Sequence, residues 1–371
     1  MLPPARNTNS YCFDLLDSRI VFCHFDEFIR LLKNELDHSG HYFFLTDSNT
    51  REYCLPLIRE HIPEVKDRHV ITIPAGEDNK NISSLTHIWE RLQEGGAGRT
   101  SRIFNLGGGV VTDIGGFAAA TFMRGVAFVN IPTTILGMAD AAVGGKTAVN
   151  LGRIKNPVGI FALPETTLIC PEFLKTLPVD EFLSGYAEVI KTGLALDYGF
   201  WERLYGASPV IRDQKVMLDT FDNEILARAV SLKARVVSED LRDNGPRQCL
   251  NFGHSIGHAI EAFSMGKPAG LRHGFAVAAG MVCETYLSMK LAGLSAEHCK
   301  SITAFLNSNF PRIKIESQDI DDIVAFMHHD KKNDKGELVM SLLQAPGCCE
   351  YGIACPEHLI RESLSYYIHL S

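Results

Sequence analysis

The sequence predicts an α/β domain with a parallel sheet, followed by an all-helical domain. In the first half, apolar runs of strand length alternate with stretches of helical spacing, and after about Pro178 helical patterns follow one another. Strands separated by helices indicate a parallel sheet with helices on both faces. Because 371 residues suffice for two cores, we place the domains at 1–177 and 178–371.

The predicted elements follow in chain order. Four strands are predicted, at Tyr42–Leu45, His69–Ile73, Arg102–Leu106 and Phe128–Ile131. A helix over 83–95, with Ile88 and Leu92 on one face, lies among them. In the second half, helices are predicted over 224–241, 257–263, 275–291 and 319–327.

Composition and charge exclude several classes of protein. The net charge of −8 and the scattered basic residues argue against binding of nucleic acid. No apolar run approaches 18 residues and no signal peptide is recognisable, so we expect no membrane contact. The ten cysteines include no CxxC pair, which together with these absences predicts reduced thiols in the cytoplasm.

A histidine motif is the strongest chemical signal. His254 and His258 are four residues apart, so on a helix both imidazoles project from one face, and His273 is close enough in sequence to fold back beside them. Neutral imidazole is the commonest zinc ligand, although single histidines on apolar faces are usually hydrogen-bonded core residues. A divalent metal site and a set of structural histidines both remain open on this motif alone.

Two glycine-rich segments suggest phosphate binding. The segment 105–113 reads as a strand that runs into glycines and then a helix, yet Thr112 stands where the third glycine of GxGxxG belongs. A tight turn without a ligand is therefore the alternative. The second segment, 144–147, ends in Lys146-Thr147 but lacks the first glycine of a nucleotide triphosphate loop, so we reject that function. Lysines beside glycines remain suitable phosphate ligands.

Taken together, the motifs closely resemble the 3-dehydroquinate synthase family. The resemblance runs from about Asp47 to Asn333 and is carried by seven motifs in the same order, at 107–113, 131–134, 140–147, 155–156, 187–191, 251–254 and 330–333. It implies a Rossmann-like NAD domain, a helical metal- and substrate-binding domain, and an active site in the cleft between them. It also implies conversion of 3-deoxy-D-arabino-heptulosonate 7-phosphate to 3-dehydroquinate and phosphate, with NAD consumed and regenerated in each turnover. A homodimer with a small anionic sugar phosphate as substrate is expected.

The resemblance also assigns residues to each ligand. It implies zinc, with cobalt as a possible replacement, held by Glu188, His254 and His273. It implies substrate-site roles for Lys146, Asn156, Lys191, Lys233, Arg247, Asn251, His258 and Lys331, with Lys332 as the alternative to Lys331. It implies NAD-site roles for Asp47, Asn49, Glu77, Lys80, Gly108, Gly109, Asp113, Thr133, Thr134, Asp140 and Lys155.

One position departs from the family pattern. Phe275 follows His273-Gly274 where the family commonly has Glu. A carboxylate there could orient a metal ligand, so its absence either weakens metal binding or is compensated by another group.

Three alternative functions stay open. A related sugar phosphate cyclase, such as a 2-epi-5-epi-valiolone or 2-deoxy-scyllo-inosose synthase, would differ at the substrate positions. A metal-dependent polyol dehydrogenase would release NADH. A catalytically inactive binding module would lack a metal ligand or an anion-binding residue, and the sequence retains all of them.

Overall fold

The computed structural model describes residues 11–37, 41–152, 154–207, 222–264, 271–329 and 338–370. The chain forms two compact units, of which the first comprises Met1–Pro178 with Leu226–Arg242 and the second comprises Val179–Ile225 with Asp243–Ser371. The predicted division at 177/178 differs from this in one segment, because Leu226–Arg242 lies with the first unit. Buried Lys233 of that segment pairs with Asp140 of the first unit, which ties the two stretches together.

A seven-stranded sheet forms the centre of the first unit. Its strands are β1 (Tyr11–Leu15), β2 (Ser18–Phe22), β3 (Tyr42–Asp47), β4 (Val70–Ile73), β5 (Arg102–Gly107), β6 (Ala127–Pro132) and β9 (Thr166–Ile169). Their order is β1-β2-β9-β6-β5-β3-β4, and all neighbours are parallel except the β1-β2 pair. A separate antiparallel hairpin is formed by β7 (Lys146–Leu151) and β8 (Ile154–Phe161).

The four predicted strands are confirmed as β3 to β6, but the edge hairpin was missed. The turn between β1 and β2 has no glycine, and Leu16 instead adopts a left-handed φ of 54°. Glycine and asparagine are the usual occupants of that conformation, so the sequence carries no turn signal there. Only tertiary pairing of β2 with β9 reveals this edge of the sheet.

Helices cover the sheet and bury its apolar side chains. They are α1 (Phe25–Asp37), α2 (Ser48–Tyr53), α3 (Leu55–His61), α4 (Ile82–Glu94), α5 (Gly109–Thr121) and α6 (Ile135–Ala139). The predicted helix at 83–95 is confirmed as α4, whose Ile88 and Leu92 lie in one core cluster with Ile71 and Ile103 of the sheet. The fold prediction of a Rossmann-like first domain is therefore confirmed.

Helices dominate the second unit. They are α7 (Val179–Leu196), α8 (Tyr198–Ala207), α10 (His254–Ser264), α11 (His273–Leu291), α12 (Ala296–Asn309), α13 (Ile320–His329) and α14 (Glu357–His369), while most of α9 (Asn223–Glu239) belongs to the first unit. The helical prediction is confirmed with one addition, because β10 (Val339–Ala345) and β11 (Cys348–Ala354) form an antiparallel hairpin. Among the described residues, no helix has the length and apolarity needed to span a bilayer.

Candidate active site

The predicted NAD residues lie largely along one edge of the sheet. Asp47 ends β3, Gly107 ends β5, and Thr133 follows β6. Carboxyl ends of parallel strands share one edge, which is where open α/β sheets bind ligands. Thr133 N–H donates to the Gly107 carbonyl at 3.0 Å, so the β5 and β6 ends are joined directly.

The glycine segment brings the start of α5 close to this edge. A Cβ on Gly107 would lie 2.5 Å from Val111, and one on Gly108 would lie 3.0 Å from Thr134. Gly108 is the N-cap of α5 and offers no side chain to its first amides, which favours an anionic ligand at that helix end. The assignment of this helix end to NAD stays a prediction.

Lys80 forms the centre of a buried charge cluster in the first unit. Its ammonium lies 3.1 Å from Glu77 Oε1 and 3.1 Å from Asp113 Oδ2. Burial raises the pKa of Asp113, the Lys80 charge opposes this, and the net pKa is about 6. Burial would lower the pKa of Lys80, but the two carboxylates outweigh that effect and raise it. Three predicted NAD residues are thus brought together, with one ammonium shared between two carboxylates.

The remaining predicted residues of the first unit have different surroundings. Asp47 Oδ1 accepts from Thr50 N–H at 2.7 Å and caps α2, while Asn49 is exposed. Buried Lys233 donates to the Asp140 carbonyl at 2.6 Å and pairs with its carboxylate. On the β7–β8 hairpin, Lys146 and Asn156 are exposed and Lys155 is half-buried.

Asn150 hydrogen-bonds to both Glu77 and Asn156, and no role was predicted for it from the sequence. Its Nδ2 donates to Glu77 Oε1 at 2.8 Å, and its Oδ1 accepts from Asn156 N–H at 2.9 Å. Asn156 has a left-handed φ of 54°, a conformation that needs local support. The only sequence signal was an amide residue in a strand-like run beside Lys146-Thr147.

The predicted metal ligands converge in the second unit. Glu188 Oε1 lies 3.4 Å from His254 Nε2 and 3.4 Å from His273 Nε2. Glu188 is on α7, His254 is the first residue of α10, and His273 is the first residue of α11. Three helices therefore direct one carboxylate oxygen and two imidazole nitrogens to a common point.

These distances fit a bound divalent ion. Two ligand atoms at about 2.0–2.1 Å from a tetrahedral zinc ion lie roughly 3.4 Å apart. The Glu188 carboxylate is buried, its Oε2 pairs with Lys191 Nζ at 2.5 Å, and its Oε1 lies near the two imidazole nitrogens. A divalent ion held by Oε1 and the two imidazoles would fit this arrangement.

The protonation states at this site have clear physical causes. Burial would raise the pKa of Glu188, but Lys191, whose Nζ is 2.5 Å from Oε2, and the two histidines hold it well below its usual range. Burial and the Lys191 charge lower the pKa of His254, leaving it neutral as a ligand must be. Burial would also lower the pKa of His273, but hydrogen bonds to Glu188 and Glu261 raise it to about 10. A metal ion would therefore displace a proton from His273.

Glu261 supplies the carboxylate that Phe275 does not. His273 Nδ1 donates to Glu261 Oε2 at 3.2 Å, which leaves Nε2 directed at Glu188. Phe275 is buried on α11. The absence of Glu at 275 is therefore compensated by a carboxylate from α10. The sequence does indicate that Glu261 lies near this site, because it follows His254 by two helical turns on the same face.

The other predicted residues of the second unit surround this centre to different degrees. His258 is exposed, and its ring nitrogen lies within 4.8 Å of those of His254 and His273, so geometry permits either a substrate contact or a fourth ligand. Lys191 and Arg247 are buried, and Asn251 is half-buried at the end of the 3-10 helix Pro246–Asn251. Lys331 and Lys332 lie outside the described residues.

Comparison with known families assigns both halves of the chain. The family described as 3-dehydroquinate synthase N-terminal matches residues 70–184, and the one described as 3-dehydroquinate synthase C-terminal matches residues 185–333. A 3-dehydroquinate synthase from Parabacteroides distasonis is 42% identical over 88% of this chain and 90% of its own length. The resemblance found in the motifs is thereby confirmed.

Solved structures of related enzymes share the fold of this chain. A 2-deoxy-scyllo-inosose synthase complexed with carbaglucose-6-phosphate, NAD+ and Co2+ matches with a TM-score of 0.83 and 26% identity, covering 96% of this chain and 99% of that chain. A 2-epi-5-epi-valiolone synthase from Streptomyces hygroscopicus subsp. jinggangensis 5008, with NAD+ and Zn2+ bound, has a TM-score of 0.82, 24% identity and coverage of 97% and 99%. The second likeness concerns the fold alone.

Proposed function

Because the chain belongs to the 3-dehydroquinate synthase family, we propose that it converts 3-deoxy-D-arabino-heptulosonate 7-phosphate to 3-dehydroquinate and phosphate, using NAD and a divalent metal. The observation that carries the metal requirement is the convergence of Glu188, His254 and His273 at distances that a tetrahedral ion would bridge. Zinc is the expected ion, since it suits two imidazoles and one carboxylate, and cobalt suits the same ligands.

The bound groups would supply the redox and Lewis-acid chemistry. Bound NAD would accept a hydride and return it within one turnover, and a bound metal would polarise the hydroxyl that is oxidised. The chain's own residues would hold the reactants. Lys80, Asp113 and the start of α5 support the NAD assignment by charge and by free helix amides.

Cationic residues would retain the anionic substrate through several steps. Buried Arg247 suits bidentate binding of a carboxylate or phosphate, and buried Lys191 would add a point charge beside Glu188. Asn251 and His258 would bind substrate hydroxyls. Lys146 and Asn156, which are exposed on the β7–β8 hairpin, would also bind the substrate. Lys233 is proposed in the same set, held by its pair with Asp140.

The oxidised intermediate explains why one protein keeps all these groups. Oxidation of the hydroxyl beside the carbon that carries the acidic hydrogen makes that hydrogen removable. The electron pair left on that carbon forms a carbon–carbon double bond, and phosphate leaves with the electrons of its C–O bond. Reduction, ring opening and aldol closure follow, for which positioning provides much of the rate. The leaving phosphate can itself accept the proton, so no dedicated protein base is needed.

Location and assembly also belong to the proposal. We infer a homodimer in the cytoplasm, on the basis of the family to which the chain belongs.

The direct test is release of inorganic phosphate from 3-deoxy-D-arabino-heptulosonate 7-phosphate by the purified chain with NAD and zinc. We expect chelator-sensitive release, 3-dehydroquinate as product and no net NADH. His254→Ala should abolish release, whereas His358→Ala, at an exposed position on α14, should not.

Two outcomes would overturn this proposal. Release from glucose 6-phosphate or sedoheptulose 7-phosphate, but not from the proposed substrate, would assign another cyclase activity. Accumulation of NADH absorbance with glycerol or another polyol would assign a dehydrogenase.

A further inference from the structure

A buried carboxylate lies behind the metal site and has no role in the proposed reaction. Glu284 is fully buried in the middle of α11. It is the only charged side chain between His273 and Lys290, in a segment that is otherwise almost entirely apolar. Burial of a carboxylate is costly unless its oxygens accept hydrogen bonds, so its partners indicate what it does.

Both carboxylate oxygens bind the start of the helix that carries His254. Oε2 accepts from Gly253 N–H at 2.5 Å, and Oε1 accepts from Ile256 N–H at 3.0 Å. Gly253 precedes the first residue of α10 and has a left-handed φ of 80°. These two amides are the donors that a capping box would satisfy, and here a residue 31 positions away satisfies them.

The Gly253 amide also connects Glu284 to a metal ligand. His254 Nδ1 lies 3.3 Å from the Phe252 carbonyl oxygen. That oxygen belongs to the same peptide unit as the Gly253 N–H, so one planar amide separates the carboxylate from the imidazole. A carbonyl oxygen can only accept, which requires the proton on Nδ1 and leaves Nε2 free to face Glu188.

We propose that Glu284 is a positioning residue for the metal site, acting on His254 through the Phe252–Gly253 peptide. Its charge polarises the peptide, which makes the carbonyl a stronger acceptor and the imidazole a better ligand. The inference rests on the proposed metal site. His273 obtains the same support directly from Glu261, so each of the two histidine ligands is oriented by a carboxylate.

Tight packing fixes the geometry on which this relay depends. A Cβ on Gly280 would lie 2.0 Å from the Gly253 carbonyl oxygen and 2.6 Å from Gly257 N. Helices α10 and α11 therefore touch backbone to backbone at this crossing. Glu284 is one turn after Gly280 on α11, which places its carboxylate at the start of α10.

The test is metal affinity of the full-length chain, measured by competition with a chromophoric chelator for Zn2+ and for Co2+. Glu284→Gln keeps the shape but removes the charge and one acceptor. We expect it to weaken binding of both ions by about 10- to 100-fold, the range found for residues behind metal ligands, and to shift the visible absorption of bound Co2+. Glu261→Gln should produce a loss of similar size through His273.

Ser288→Ala is the matched control. Ser288 is fully buried one turn further along α11, where its Oγ donates to the Glu284 carbonyl and accepts from Leu343 N–H. We expect this variant to unfold more easily but to keep metal affinity within roughly twofold, since it leaves the carboxylate in place. Equal metal affinity in Glu284→Gln and the native chain would reduce Glu284 to a structural cap and overturn the proposal.

A second measurement covers the case in which Glu284→Gln does not fold. Nitrogen-15 NMR of the metal-free native chain, with His254 assigned through a His254→Gln variant, reports which ring nitrogen carries the proton. We expect the Nδ1-protonated form, and the Nε2-protonated form would overturn the relay. Failure of the native chain itself to bind either ion would instead refute the proposed metal site.

Discussion

The two units prepare their ligand sites in opposite ways. In the first unit the ionic groups already satisfy one another, since Lys80 pairs with Glu77 and Asp113, and Lys233 pairs with Asp140. In the second unit, Glu188 Oε2 pairs with Lys191, whereas its Oε1 lies 3.4 Å from the Nε2 atoms of both His254 and His273. The first set of groups forms ion pairs without a ligand, whereas the second gathers three atoms that could ligate a metal ion.

The difference reflects how each set of residues is positioned. The first site follows the ends of β3 to β6, whose parallel order places consecutive chain segments at one edge. The second depends on the crossing of α10 and α11 and on the approach of α7, which brings together residues from 188 to 284. We therefore expect substitutions at the helix crossing to weaken metal binding. Substitutions in the cluster of Lys80, Glu77 and Asp113 should instead change how the free energy of unfolding depends on pH.

Gly280→Ala should have the largest effect on this comparison. The added methyl would lie 2.0 Å from a backbone oxygen, and backbone cannot move aside cheaply, so we expect a loss of about 3 kcal/mol or more in the free energy of unfolding. Chemical denaturation measures this. Gly206→Ala is the control, because nothing lies within 4 Å of its added methyl; a comparable loss there would show that the crossing is not special.

His273→Ala should weaken metal binding by the second unit without weakening NAD binding by the first. Removal of one of three ligands should weaken Zn2+ binding by roughly 100-fold or more, beyond the usual effect of an outer residue. NAD affinity, measured by calorimetry, should stay within about twofold, because the predicted NAD residues belong to the first unit. Full zinc content in this variant would remove His273 from the ligand set, and a parallel loss of NAD binding would indicate misfolding.

Asp113→Asn should have the smallest effect, which we expect to be a change in the pH dependence of the free energy of unfolding. The pKa of Asp113 is about 6 when folded, raised from 3.8, so the stability associated with its proton is present below about 3.8 and is lost as pH rises through 6. The asparagine variant cannot titrate. Relative to the native chain, it should gain about 2 kcal/mol in unfolding free energy from pH 4 to pH 7.5.

Denaturation of both proteins at several pH values checks this prediction. Asp78→Asn, at an exposed acid in the same loop, is the control for general effects of charge. A constant difference between Asp113→Asn and the native chain across the range would show that Asp113 does not titrate as described.

The sequence by itself determined the fold class and nominated the residues of the proposed metal site. Periodicity placed β3 to β6 and α4 correctly, because buried strands and amphipathic helices must repeat their apolar residues at fixed intervals. Helical spacing drew attention to His254, and the family motifs nominated His273 and Glu188 as its partners; the structure has His254 at the start of α10 and His273 at the start of α11.

Only the tertiary structure decided which residues support those ligands. The β1–β2 edge has no glycine turn, and segment 226–242 joins the first unit through Lys233 rather than by chain order. Glu284 reaches Gly253 across a helix crossing, and no local pattern encodes a contact between residues so far apart in the chain. Local spacing specifies which side chains share a face, but hydrogen bonds between elements form only where packing brings their backbones together.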